Sequence, residues 1–168
     1  MRIDRFPTPN VVPGRAGHRP EAVVVHTTVG TFDSAVGWFA LPGSGVSAHY
    51  LVGLDGRVGV FVEEKDTARH AGRSLQPTAA FVRDGIDPNA ITIGIEFVDD
   101  GDPHGVVRPE AQYASGAELL WVISLRWTIP LDRPHVVGHR EIYSAKTCPG
   151  NLDIDRLLRA ANAMERET

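Results

Sequence analysis

Three short β-branched runs constrain this chain most: AVVVHTT at 22–28, AITIGIEFV at 90–98 and the shorter HVVGH at 135–139. Val and Ile are stiff at χ1 and fit a pleated, buried surface, so each run reads as a strand. SAHYLVGLDGRVGVFV (47–62) adds a hairpin, two β-rich stretches flanking a predicted two-residue turn at Asp55-Gly56. Between and after the strands come helical patterns. FDSAVGWFAL (32–41) follows a cap at Thr31 or Asp33, PEAQYASGAELLWVISLRW (109–127) recurs at three-to-four spacing through Tyr113, Ala117, Leu120, Trp121 and Ser124, and DIDRLLRAANAMERE (153–167) is amphipathic. Mixed strands and helices make the fold class α/β or α+β.

The remaining segments are connections. Residues 1–20 carry Pro7, Pro9, Pro13 and Pro20, and read as an extended arm laid on the domain. GRSLQPTAAFVRDGIDPN (72–89) reads as a long surface loop, a kind often tied to function. A length of 168 residues suits one domain spanning 1–168, and no repeat or linker divides it. The net charge of −4 gives no footprint of a nucleic-acid binder. No run is apolar enough for a membrane span, and no apolar stretch near the N-terminus suggests a secretory signal.

One cysteine, Cys148, cannot form an internal disulfide. It sits in VVGHREIYSAKTCPG, outside any periodic apolar run, and is a buried filler, a nucleophile or a metal ligand. Two histidines bear on that choice. His26 ends the run VVVH and His139 ends VVGH, each where a strand gives way to a loop. With Cys148 they would make three protein ligands, the number a catalytic zinc keeps when its fourth position is left for water. Glu96 lies among isoleucines, but Thr92, Gly94 and Glu96 share one face while Ile91, Ile93 and Ile95 share the other. It is either a solvent-facing carboxylate or a general base on a site floor. Lys146, two residues before the cysteine, is a solvated lysine or a cation for a developing oxyanion. His49 is a substrate contact or a structural histidine, and Trp38 packs in the core or lines a groove.

Taken in order, VVVHTTVG, VSAHYLVGLDGRV, ARHAG, NAITIGIEFV and VVGHREIYSAKTCPG resemble the zinc-dependent N-acetylmuramoyl-L-alanine amidases of the type 2 family, relatives of peptidoglycan recognition proteins that are common among phage endolysins. The resemblance runs from about residue 20 to about residue 160. It implies a central mixed sheet flanked by helices, one catalytic zinc in an open groove, and cleavage of the amide between the lactyl group of muramic acid and L-alanine of the peptidoglycan stem. By position it implies His26, His139 and Cys148 as zinc ligands, Glu96 as base and Lys146 as oxyanion stabiliser. Two positions depart from the pattern. Ala48 stands where some phage members have a tyrosine, which leaves the base role to Glu96. Arg69 stands before HAG where many members have an aromatic, which leaves Trp38, Phe39 and His70 to line the groove. Arg73 or Arg83 would read the stem peptide. The implied setting is an endolysin or autolysin, held in the cytoplasm until host lysis. The alternatives are a non-catalytic wall-binding module, a cytoplasmic amidase recycling soluble anhydro-muropeptides, and a hydrolase using Cys148 with His139.

Overall fold

The computed structural model describes residues 2–165. Eight strands and four helices follow in the order β1 (Ile3–Arg5), β2 (Val11–Val12), β3 (Ala22–Thr27), α1 (Phe32–Ala40), β4 (Tyr50–Val52), β5 (Val58–Val60), β6 (Thr67–Ala68), α2 (Pro88–Ile91), β7 (Thr92–Phe97), α3 (Glu110–Trp127), β8 (Val136–Gly138) and α4 (Ile154–Glu165). Residues 166 and 167 of the expected last helix lie outside the described residues.

The main sheet has the order β1-β5-β4-β7-β3-β8. Strands β4, β7, β3 and β8 run parallel, and β5 returns antiparallel to β4, so the sheet is mixed. The two longer β-branched runs form β7 and β3 inside the sheet, where both faces are covered, and the shorter one forms the edge strand β8. Side-chain alternation divides those faces. Val23, Val25, Ile93, Ile95, Phe97 and Val136 point to one side, where α3 and α4 bury Leu120, Ile123 and Leu157 against them. Val24, Val137 and Leu51 point the other way, into two smaller apolar clusters built with α1 and with the 72–89 loop.

Three expectations change in detail. The β4–β5 hairpin closes through Leu54-Asp55-Gly56 rather than a two-residue turn: the Gly53 N–H bonds the Arg57 carbonyl at 2.9 Å, and Gly56 takes φ 82°. That is the three-residue loop with a left-handed third residue, which glycine fills without strain. Ile91 is not in the strand. Asp87 caps the short turn of α2, accepting from the Asn89 N–H at 2.9 Å, and Ile91 ends that turn in the cluster under the 72–89 loop. The N-terminal arm also does more than lie on the surface. It adds β1 to the sheet and pairs β2 with β6, and it buries Arg15, whose guanidinium donates to the Glu64, Ala90 and Thr92 carbonyls.

Candidate metal centre

The second face of the sheet becomes polar at the carboxyl ends of β3, β7 and β8, the edge where open parallel sheets place their sites. His26 continues the side of Val24, Glu96 the side of Gly94, and His139 the side of Val137. Register brings them together: His26 is the sheet partner of Glu96, and His139 lies one step past the Val25–Gly138 pair. The loop after β8 then returns Cys148 to the same place, with the Arg140 N–H bonded to the Cys148 carbonyl at 3.2 Å. One nitrogen from each of His26 and His139 and the sulfur of Cys148 all lie within 4.8 Å of one another.

The donor set suits a metal. The His139 Nε2 faces the Ala71 carbonyl at 3.0 Å, an obligate acceptor, so it carries the proton and Nδ1 presents a lone pair. The Nδ1 of His26 stands 3.1 Å from it. Two nitrogens bound tetrahedrally to one zinc sit about 3.3 Å apart. Burial holds both imidazoles below their ordinary pKa, His26 far below it, and so keeps them in the neutral form that ligates. Burial also pushes the Cys148 thiol up to about 11, with the neighbouring Glu96 adding to the shift. A nucleophilic cysteine shows the opposite displacement, and a bound cation would hold the sulfur as thiolate.

Glu96 lies beside His26, His139 and Cys148, and Asp99 lies near Glu96. Glu96 is half-buried, and its Oε2 is sealed from solvent with no hydrogen-bond partner. Burial, reinforced by Asp99, raises its pKa to about 8, against the pull of Lys146. Asp99 is fully buried, accepts from the Gly30 and Gly101 N–H groups through Oδ1, and leaves Oδ2 without a partner. Sequence reading missed Asp99. Its only sequence signal is its place in the turn right after β7.

His26, His139, Cys148 and Glu96 line a cleft of about 540 Å³. Lys146 and Arg69 bring positive charge to its lining, and Thr28, Val29, Ser34, Phe39 and Val46 complete the walls. Trp38 lines it too and is 54% exposed, so it is not a core residue. Phe39, by contrast, is 5% exposed and mostly packs beneath α1. The other expected contacts are placed differently. His49 is wholly buried, its Nδ1 accepting from the Gly94 N–H at 3.0 Å and its Nε2 against the Asp66 carbonyl, which makes it structural rather than a substrate contact. His70 borders the cleft, but both ring nitrogens are engaged inside the protein, with His26 and Thr92. Arg73 is exposed on its loop and is not part of the lining. Arg83 is held by a two-pronged ion pair to Glu21, 2.8 Å on each arm.

Comparison with known proteins places this architecture. The profile of a family described as N-acetylmuramoyl-L-alanine amidase matches residues 16–151. N-acetylmuramoyl-L-alanine amidase A of Achromobacter lyticus is 35% identical over 71 residues, 42% of this chain and 40% of that protein, so the match spans less than half the relative's length. The crystal structure of a Se-Met AmpD derivative superposes with a TM-score of 0.75 at 25% identity, over 95% of this chain and 94% of that one. AmiD from E. coli, solved with anhydro-N-acetylmuramic acid-L-Ala-D-gamma-Glu-L-Lys, superposes with a TM-score of 0.68 at 28% identity, over 84% of this chain and 57% of that one.

Proposed function

The chain belongs to the N-acetylmuramoyl-L-alanine amidase family, and from that membership we propose that it is a zinc-dependent peptidoglycan amidase, cutting the amide between the lactyl group of N-acetylmuramic acid and L-alanine of the stem peptide. One observation carries the reading. Two neutral imidazoles and a thiol converge within 4.8 Å on a cleft floor, beside a carboxylate whose Oε2 has no partner. His26, His139 and Cys148 would hold the metal. Zinc bound there would supply a Lewis acid for the scissile carbonyl and an acidified water.

The protein's own groups do the rest. Glu96, with its raised pKa and its place in the cleft lining, takes a proton from the attacking water and returns it to the leaving amine of L-alanine. Lys146 faces the developing oxyanion and removes part of its charge penalty. Ala48 is buried and carries no titratable group, so that position offers no base. Trp38 offers an exposed apolar plate to the sugar or peptide, and Arg69 a cation to a stem carboxylate. The described residues, arm included, act as one catalytic domain, and none of their helices is long and apolar enough to cross a membrane.

The test is release of new amino groups from purified peptidoglycan, with chelator and with zinc restored. Release that stops on chelation and returns with zinc supports the amidase. Firm wall binding without release would make the chain a recognition module, and release indifferent to chelation would return Cys148 to a nucleophile. We read the setting as wall degradation by an endolysin or autolysin. A second setting has its own observation: AmiD, a 28% identical neighbour, was solved with anhydro-N-acetylmuramic acid-L-Ala-D-gamma-Glu-L-Lys. Comparing rates on intact sacculi and on soluble anhydro-muropeptides decides between wall lysis and recycling.

A further inference from the structure

Behind the three ligands a second set of groups is arranged to orient them. The Thr92 hydroxyl donates to the Pro88 carbonyl at 2.6 Å. A hydroxyl has one proton, so its contact with the His70 Nε2 at 3.2 Å requires that nitrogen to be the donor. His70 is buried, and its ring contacts are Thr92, His26 and His49, none of them a carboxylate to hold a second proton, which leaves its Nδ1 an acceptor. The His26 Nε2 stands 3.0 Å from that Nδ1 and must therefore carry its own proton. His26 is left with a lone pair on Nδ1, the atom that faces His139. The next residue orients the other ligand, because the Ala71 carbonyl accepts from the His139 Nε2. Asn89 fixes both residues in place, its Oδ1 accepting from the His70 and Ala71 N–H groups at 2.9 and 2.8 Å. Gly94 makes room, since a side-chain carbon there would fall on the His70 ring.

We propose that His70 is a positioning residue of the metal centre: through the chain Pro88–Thr92–His70–His26 it locks His26 in the tautomer whose Nδ1 is free to ligate. The inference rests on the metal reading of His26, His139 and Cys148. It assigns His70 no contact with substrate, which separates it from the groove-lining role that its place in the cleft wall suggests.

The first readout needs no metal. In the metal-free protein, imidazole nitrogen NMR should show His26 and His70 both protonated on Nε2. In His70→Phe, which keeps a ring but no acceptor, His26 should lose that single tautomer. Thr92→Val should produce a weaker mixture and Thr92→Ser should recover the native pattern. The second readout is zinc affinity by competition with a chromophoric chelator. His70→Phe should lose about 10- to 100-fold, the usual effect of removing an outer-sphere partner, and Thr92→Ser should recover most of what Thr92→Val loses. If His70→Phe does not fold, the Thr92 pair decides. An unchanged His26 tautomer in the variants overturns the inference. Failure of the wild-type protein to bind zinc overturns the metal reading instead, and the tautomer result still decides whether His70 sets the state of His26.

Discussion

The two faces of the central sheet use the same strands for opposite ends. On the helix side, Val23, Val25, Ile93 and Ile95 meet α3 and α4 with apolar carbon alone. On the cleft side, the residues alternating with them lead to His26 and Glu96, whose buried Oε2 lacks a hydrogen-bond partner. Burying an unpartnered polar atom costs stability, about 1–3 kcal/mol in a typical protein interior. The helix side therefore supplies stability that the cleft side consumes, and substitutions on the two faces should separate folding from chemistry.

The sharpest separation comes from Glu96→Gln. The side chain keeps its shape and loses its proton chemistry, so amide hydrolysis should fall by about 10²- to 10⁴-fold while zinc content holds. Unfolding by urea should show no loss of stability, since the variant removes an ionisable group with a sealed, unpartnered oxygen. A rate near wild type would mean that Glu96 is not the base. The mirror experiment is Leu120→Ala on α3, at a side chain 1% exposed. It should cost about 2–5 kcal/mol, read as a lower urea midpoint, with the activity of the remaining folded protein unchanged. A specific loss of activity in that variant would show that the two faces are coupled.

The comparison can also be titrated in metal-free protein. Glu96 has a folded-state pKa raised from 4.5 to about 8, so the stability it contributes is full below 4.5 and is lost as pH rises toward 8. His26, His49, His70 and His139 are all depressed below 6.5 by burial, so their contribution is present above 6.5 and is lost as pH falls. Above 6.5 the histidines are neutral in both states, and only Glu96 remains to titrate in this cluster. Stability should rise with pH to about 6.5 and then fall by up to about 2 kcal/mol by pH 8, less whatever solvent reaches the half-buried side chain. Glu96→Gln should flatten the upper limb and steepen the lower one between pH 4.5 and 6.5, where Glu96 opposes the histidines. An upper limb that persisted in the variant would mean that Glu96 is not the group that titrates there.

What could be read from the sequence divides along the same line. The β-branched runs, the main helix and the alternation of Glu96 against Ile93 and Ile95 are local patterns, and the structure keeps them. The two strand-end histidines were legible because ends of buried strands are where a polar residue can face a site, and the structure converges them with Cys148. The roles of His49 and His70 were not legible. Alternation says which face a side chain takes but not what lies across from it, and their partners Arg15, Gly94, Thr92 and His26 lie 22 to 45 residues away. Asp99 and Arg15 were missed for the same reason, since a lone charge in a turn or an arm reads as solvated until a remote element covers it. Local spacing also misplaced Ile91, because the Asp87 cap turned two apparent strand residues, Ala90 and Ile91, into the end of a helical turn.

The smallest predicted effect lies where the two faces stop being independent. Helix α1 builds the cleft wall with Trp38 and at the same time buries Phe32 and Phe39 in an apolar cluster of its own. Its first turn is fastened by Thr31, whose hydroxyl accepts from the Ser34 N–H at 3.2 Å. Thr31→Ala leaves that donor to water and should cost about 1 kcal/mol of stability. If α1 only shapes the wall, KM should rise modestly while kcat and zinc affinity hold, because none of the three proposed ligands sits on this helix. A fall in kcat would mean that the wall also sets the angle at which the substrate carbonyl meets Glu96. The cleft face would then extend to α1, and the division between a face that stabilises and a face that reacts would hold only for the strands.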